Sequence, residues 1–204
     1  MNFRQILANV TLANQLSFLR LVASPCLALA VLAGRFDVAC AVYGAAAITD
    51  LLDGLTARMF RQETSLGAYL DPLADKVLCT VAFVLLTDYP SLFKGIVMAN
   101  RIPVWLTVIT ISRDVFILSV SVMLHLAYGT RGFRPSIWGK LTTVSESLCV
   151  GLFLVFNLLG RTHPVLAVAI WTTLGLLLVS GFDYVRSTVR RVRAEEPQTR
   201  SIKG

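Results

Sequence analysis

The sequence predicts an all-α integral membrane protein of six transmembrane helices, preceded by an amphipathic helix at the interface. Three observations carry this prediction. Of 204 residues, 55% are hydrophobic and only 15% charged, where a typical globular domain has about 25% charged residues. Apolar runs repeatedly reach the roughly 20 residues that a helix needs to cross a bilayer. Gly34, Pro90, Pro103, Gly129, Pro135 and Pro164 fall between those runs, where helices break.

The elements follow in order. Residues 1–15 place Phe3, Ile6, Leu7 and Val10 at helical spacing with Arg4 and Gln5 between them, the pattern of a helix lying in the membrane plane. The apolar stretch ending at Ala33 resembles a secretory signal, but Arg20 and Pro25 interrupt it and further spans follow, so an uncleaved first span is expected. The spans are expected at Leu16–Ala33, Val38–Arg58, Gly67–Thr87, Val104–Tyr128, Ile137–Leu159 and Val165–Val185. Residues 16–185 thus form one membrane domain, and 186–204 a basic, fraying tail. Cys26, Cys40, Cys79 and Cys149 are scattered through apolar sequence without metal-type spacing and read as small buried hydrophobes.

Six spans put both termini on one side. That side would carry Arg4, Arg58, Arg61, Arg131, Arg134, Lys140 and the tail's Arg186, Arg190, Arg191, Arg193, Arg200 and Lys203. The other side would carry Arg35, Lys94, Arg101 and Arg161. The excess predicts cytoplasmic termini. A basic stretch beside a span fits anionic lipid headgroups rather than nucleic acid, which is not an expected partner.

Against this background one stretch stands out. Asp50, Asp53, Asp71 and Asp75 lie in strongly apolar sequence around a short loop, with Arg58 among them. Acidic residues at membrane depth cost roughly 2.5–3.5 kcal/mol each on insertion scales. On helices, spacings of three and four give each pair one face. Converging carboxylates repel and take up protons, a conflict that bound cations remove. All-oxygen ligands suit hard ions such as Mg²⁺ or Mn²⁺, and a pair of ions would clamp the attacking and leaving oxygens of a displacement at phosphorus. Gly54, Gly67 and Ala57 keep the surroundings of the acids open, and Arg58 offers a planar fork for phosphate. A proton relay, a helix–helix polar contact or a cation pathway uses the same residue types.

The spacing narrows the choice. Asp50, Asp53, Gly54, Ala57, Arg58, Gly67, Asp71 and Asp75 match every fixed position of D-x2-D-G-x2-A-R-x8-G-x3-D-x3-D, and the chain resembles the CDP-alcohol phosphatidyltransferase family through it. The likeness covers nearly the whole chain. Asn14–Arg20 with Pro25, and Gly139-Lys140, resemble the phosphatidylglycerophosphate synthase branch. The resemblance implies six spans with cytoplasmic termini in the bacterial inner membrane, and a homodimer. It implies that Asp50, Asp53, Asp71 and Asp75 hold the metal pair, with Asp75 also acting as general base. Asp53, Gly54, Ala57, Arg58 and Gly67 would line the pocket for the CDP part of CDP-diacylglycerol.

The acceptor must be read elsewhere. Arg20, Arg113, Arg134 and Lys140 are the cations that could reach the site. Arg113-Asp114, in the middle of the expected fourth span, reads either as an internal ion pair or as a contact to the acceptor's phosphate. Glu146 on the fifth span invites the same two readings. Glycerol 3-phosphate is the expected acceptor. The segment Ile102–Val115, however, resembles cardiolipin synthases of the same family, which would use phosphatidylglycerol. An intramembrane cation transporter is the rival from another class, but it should spread acids along several spans rather than crowd them into one helix pair.

Overall fold

The computed structural model describes residues 12–60, 67–87, 98–128 and 136–201, and side-chain surroundings for 19–49, 76–87, 98–120, 122–123 and 136–190. The described residues form six helices: α1 (Leu12–Leu32), α2 (Phe36–Phe60), α3 (Gly67–Leu86), α4 (Val104–Tyr128), α5 (Ile137–Leu158) and α6 (Pro164–Ser201). The first five expected spans coincide with α1–α5 to within a few residues, and the sixth shares its start with α6. By length and composition, α5 and the Pro164–Arg190 stretch of α6 are apolar enough to cross a membrane. The expected interfacial helix over residues 1–15 lies outside the described residues for its first eleven positions.

Two compact units are distinguishable. The described residues within 1–104 and 150–166 form the first, those within 105–149 and 167–204 the second. In the first, α1 packs against both α2 and α3. Leu27, Val31, Ala39, Ala82, Phe83, Leu86 and Ile102 are fully or almost fully buried. The chain leaves α1 through Gly34, whose φ is 70°. Its N–H bonds the Val31 carbonyl at 2.9 Å and the Arg35 N–H bonds that of Ala30 at 2.8 Å, which satisfies two carbonyls that every helix end leaves open. Gly160, with φ 60°, closes α5 in the same way through Asn157 and Phe156. Arg35 pairs with Asp37 in the first turn of α2 at 2.8 Å. That hydrogen bond, aided by the Val38 N–H, lowers the Asp37 carboxyl to about 2.

A buried amide clamp ties the loop before α4 to the end of α5. The Asn157 Oδ1 accepts from the Asn100 N–H and its Nδ2 donates to the Asn100 carbonyl, both at 2.9 Å. Asn100 Nδ2 in turn donates to the Arg161 carbonyl at 2.8 Å. Beside it, Ile102 N–H bonds the Leu86 carbonyl at 2.8 Å.

In the second unit, contacts fix how the helices run. Trp105 meets Trp171 with ring centroids 6.0 Å apart, Arg113 donates to Ser180, and Tyr184 donates to the Ile117 carbonyl at 3.1 Å. The last two pairs are both 67 residues apart, the constant offset of parallel helices. From Thr142–Leu176 to Ser145–Thr173 the separation falls from 34 to 28 residues, so α5 runs antiparallel to α6.

In the second unit the burial pattern is inverted relative to a water-soluble domain. Thr107, Thr110, Thr142, Glu146, Thr173 and Ser180 are buried, whereas Met123, Val144, Leu148, Trp171, Leu178 and Phe182 are exposed. Lipid tails are as apolar as leucine, so a membrane helix need not bury its apolar face, and small polar groups mediate helix contacts instead. The chain is a membrane protein. The apolar part of α6 ends near Val185 as expected, but the helix continues to Ser201 instead of fraying. Arg, Ala and Glu are good helix formers, and a helix does not require a bilayer to continue.

Candidate active site

The structure places all eight motif residues on two helices. Asp50, Asp53, Gly54, Ala57 and Arg58 lie in the C-terminal half of α2, and Gly67, Asp71 and Asp75 in the N-terminal half of α3. At 3.6 residues per turn, Asp50, Asp53, Gly54 and Ala57 fall within about 100° of arc, and Gly67, Asp71 and Asp75 within about 80°. The local reason is plain in the sequence: no proline falls between Phe36 and Phe60, and Gly67 is the first residue of α3. The backbone therefore gives each acidic pair one helix face. The side chains of residues 50–75 lie outside the described set.

Of the four acceptor candidates, Arg20 is buried, with 2% exposure, on α1, the helix packed against both motif-bearing helices. Arg134 lies outside the described residues. Lys140 is exposed in the first turn of α5.

Arg113 has the most elaborate surroundings. Its Nη1 donates to Asp114 at 2.9 Å, the two side chains being 12% and 18% exposed. Its Nη2 donates to Ser180, while its Nε is buried without a hydrogen-bond partner among the described residues. A Cβ at Gly139 would stand 3.7 Å from the Nη2, so the glycine leaves room for the guanidinium. Ser180 also places this pair along α6. Asp183 and Arg186 follow it by three and six residues, about 4.5 and 9 Å along a helix. Arg113 thus meets α6 less than two turns before Arg186, and it lies near the middle of α4 (Val104–Tyr128).

Sequence reasoning missed the partners. Thr142 donates to the Leu176 carbonyl at 3.1 Å, and Ser145 and Thr173 hydroxyls meet at 2.9 Å. A signal did exist, since Gly139, Thr142, Glu146 and Cys149 repeat at spacings of three and four along α5, a stripe that suits a helix interface. Nothing local marked Ser180 as the residue Arg113 would meet.

Comparison with known proteins agrees with the motif. The CDP-alcohol phosphatidyltransferase family profile matches residues 10–179. The probable phosphatidylglycerophosphate synthase of Mycobacterium tuberculosis is 37% identical over 188 residues, covering 89% of this chain and 83% of that protein. The CDP-diacylglycerol–glycerol-3-phosphate 3-phosphatidyltransferase of Aquifex aeolicus is 34% identical over 176 residues, covering 84% and 92%. The human cardiolipin synthase (CMP-forming) is 29% identical over 203 residues, covering 90% of this chain and 64% of that protein.

Proposed function

Because the chain belongs to the CDP-alcohol phosphatidyltransferase family, we propose that this transferase moves a phosphatidyl group from CDP-diacylglycerol to glycerol 3-phosphate and releases CMP. The observation that carries the reading is the complete acidic motif on two helices, with each acid pair on one face. The donor set fits hard divalent cations: Asp50, Asp53, Asp71 and Asp75 offer only carboxylate oxygens. A pair of Mg²⁺ or Mn²⁺ ions held there would supply the positive charge that offsets four carboxylates and a pyrophosphate.

The chain's own residues do the rest. Gly54, Ala57 and Gly67, with Asp53, form the floor for the CDP group, since small residues let the ligand approach the backbone. Arg58 holds a phosphate oxygen through its planar fork. Asp75 takes the proton from the acceptor hydroxyl. The hydroxyl oxygen then bonds to the phosphorus that carries diacylglycerol, the bond from that phosphorus to CMP breaks, and CMP leaves with the electron pair. Such transfers depend mainly on positioning and charge stabilisation. Arg20, Arg113, Arg134 and Lys140 are the candidates for the acceptor's own phosphate.

The chain spans the bacterial inner membrane six times, with both termini and the acidic motif toward the cytoplasm. The agreement of expected spans with α1–α6 and the basic excess on that side support this topology. A homodimer accompanies the reading as a proposal from family likeness. Glycerol 3-phosphate is favoured over phosphatidylglycerol by 37% and 34% identity to enzymes of the former type against 29% to a cardiolipin synthase. The likeness of Ile102–Val115 to cardiolipin synthases supports phosphatidylglycerol as the second reading.

The test is CMP release by the purified protein with CDP-diacylglycerol and Mg²⁺, offering each acceptor separately and identifying products by mass. Phosphatidylglycerophosphate from the glycerol 3-phosphate arm is expected. Cardiolipin from the other arm would replace that acceptor assignment, and no CMP with either acceptor would defeat the reading.

A further inference from the structure

The charged end of α6 has features that the transfer reaction does not use. Asp183, Arg186, Ser187 and Arg190 line a groove of about 360 Å³. Their spacings of three, one and three residues place them on one helix face. This part of α6 is held in place: Tyr184 donates to the Ile117 carbonyl at 3.1 Å and meets Phe116 edge-on at 6.4 Å. Ser187 donates to the Tyr184 carbonyl at 2.9 Å. Arg186 and Arg190 are exposed, and neither makes a hydrogen bond or ion pair among the described residues.

An apolar stripe runs up to this groove. Trp171, Leu178, Phe182, Val185 and Val189 are all exposed, between 44% and 71%. They recur at spacings of seven, four, three and four along α6, so they too share one face. At 100° per residue that face adjoins the one carrying Arg186 and Arg190, and lies opposite the buried Thr173, Leu177 and Ser180. The stripe continues past Asp183 to Val189, so apolar and cationic surface run side by side for about two turns. Solvated arginines need no such neighbour. A molecule with a phosphate at one end and hydrocarbon at the other matches both surfaces at once.

We propose that Arg186, Ser187 and Arg190 bind the phosphate of an anionic phospholipid whose acyl chain lies along Val189, Val185, Phe182 and Leu178. Two guanidiniums against one carboxylate leave the groove net cationic, and arginine forks match phosphate oxygens in pairs. Ser187 adds an oxygen for hydrogen bonding at the same level. Such a lipid fixes the depth at which α6 leaves the membrane. The proposal rests on reading α6 as a membrane-spanning helix, not on the reaction assigned to the acidic motif.

The test measures binding rather than turnover, so its failure is distinct from failure of the enzymatic assignment. Purified full-length protein in detergent is titrated with phosphatidylserine, which is neither proposed donor nor acceptor, and retained lipid is counted by native mass spectrometry. One tightly held lipid is expected. The Arg186→Gln/Arg190→Gln double variant should bind it roughly 30-fold more weakly, the weight of two basic side chains near an anionic surface. Phosphatidylcholine should bind the wild-type protein at least several-fold more weakly than phosphatidylserine. Excess inorganic phosphate should not displace the lipid, because it lacks the chain that uses the stripe, and Phe182→Asn should weaken retention. Unchanged binding by the double variant, equal binding of phosphatidylcholine, displacement by free phosphate or indifference to Phe182→Asn would each overturn the proposal. The competition arms use the wild-type chain and stay decisive should the double variant not fold.

Discussion

Helices α2 and α3 on one hand, and α4 to α6 on the other, both carry polar groups inside apolar sequence, but their polarity is of different kinds. In α4–α6 much of it finds an internal partner, although the Arg113 Nε does not among the described residues. Arg113 has Asp114 and Ser180, Thr142 reaches the Leu176 carbonyl, and Ser145 meets Thr173. In α2 and α3 the sequence places the four motif carboxylates against Arg58 and Lys76. By count, two cations on those helices do not balance four carboxylates. Polarity with its own partner holds helices together, whereas an excess of like charge favours a ligand of opposite charge. The contrast separates a structural role from a chemical one without appeal to the names of relatives.

The comparison can be broken first at its chemical side. Asp75→Asn is expected to lower turnover by about 10²–10⁴-fold, the usual weight of a general base, while CDP-diacylglycerol binding stays within a few-fold. Comparable turnover in the variant would remove Asp75 from the proposed proton transfer. On the structural side the largest effect is expected at the amide clamp. Asn157→Leu leaves the buried Asn100 N–H and carbonyl without their partner and should cost about 2–4 kcal/mol, read as a lower thermal midpoint in detergent.

Next comes the ion pair. Asp114→Asn should destabilise by about 1.5–3 kcal/mol, the range for hydrogen bonds to charged groups. Gly139→Ala should be nearly silent, because its Cβ meets Arg113 and Ser180 only at ordinary contact distance. Gly139→Leu should match the loss at Asp114 by displacing the guanidinium. If Asp114→Asn instead left stability intact and abolished activity with one acceptor alone, Arg113 would move from the structural to the chemical side.

Gly160→Ala is expected to cost about 1 kcal/mol. No atom lies within 4 Å of the added methyl, so the loss reflects only the positive φ of 60°, which disfavours a Cβ. The smallest effect concerns pH. Arg35 holds the Asp37 carboxyl near 2, below its unfolded value of about 3.9. Its contribution is therefore present above pH 4 and disappears as pH falls through 2. Asp37→Asn should flatten the stability profile in that window alone, and an unchanged profile would mean that this exposed pair contributes nothing.

Much of the fold was legible in the linear pattern. The ends of α4 at Val104 and Tyr128 coincide with the expected span because Pro103 and Gly129 punctuate it. The foot of α6 was not legible, because loss of hydropathy marks the end of the apolar part of a helix and not of its hydrogen-bond ladder. Asn157 gave no hint of its role: its partner Asn100 is 57 residues away and outside any periodic pattern.

The sequence by itself determined what is local: hydropathy set the number of the described helices and their limits except the end of α6, the charge distribution set their expected orientation, and spacings of three and four put the motif acids on shared faces. Tertiary structure alone decided which distant residues meet. It brought Arg113 to Ser180 and Gly139, and it pinned the foot of α6 to α4 through Tyr184. The physical reason is register. A helix fixes its own faces by its 3.6-residue turn, but the height at which it meets a neighbour depends on the packing of both helices and on the connections between them.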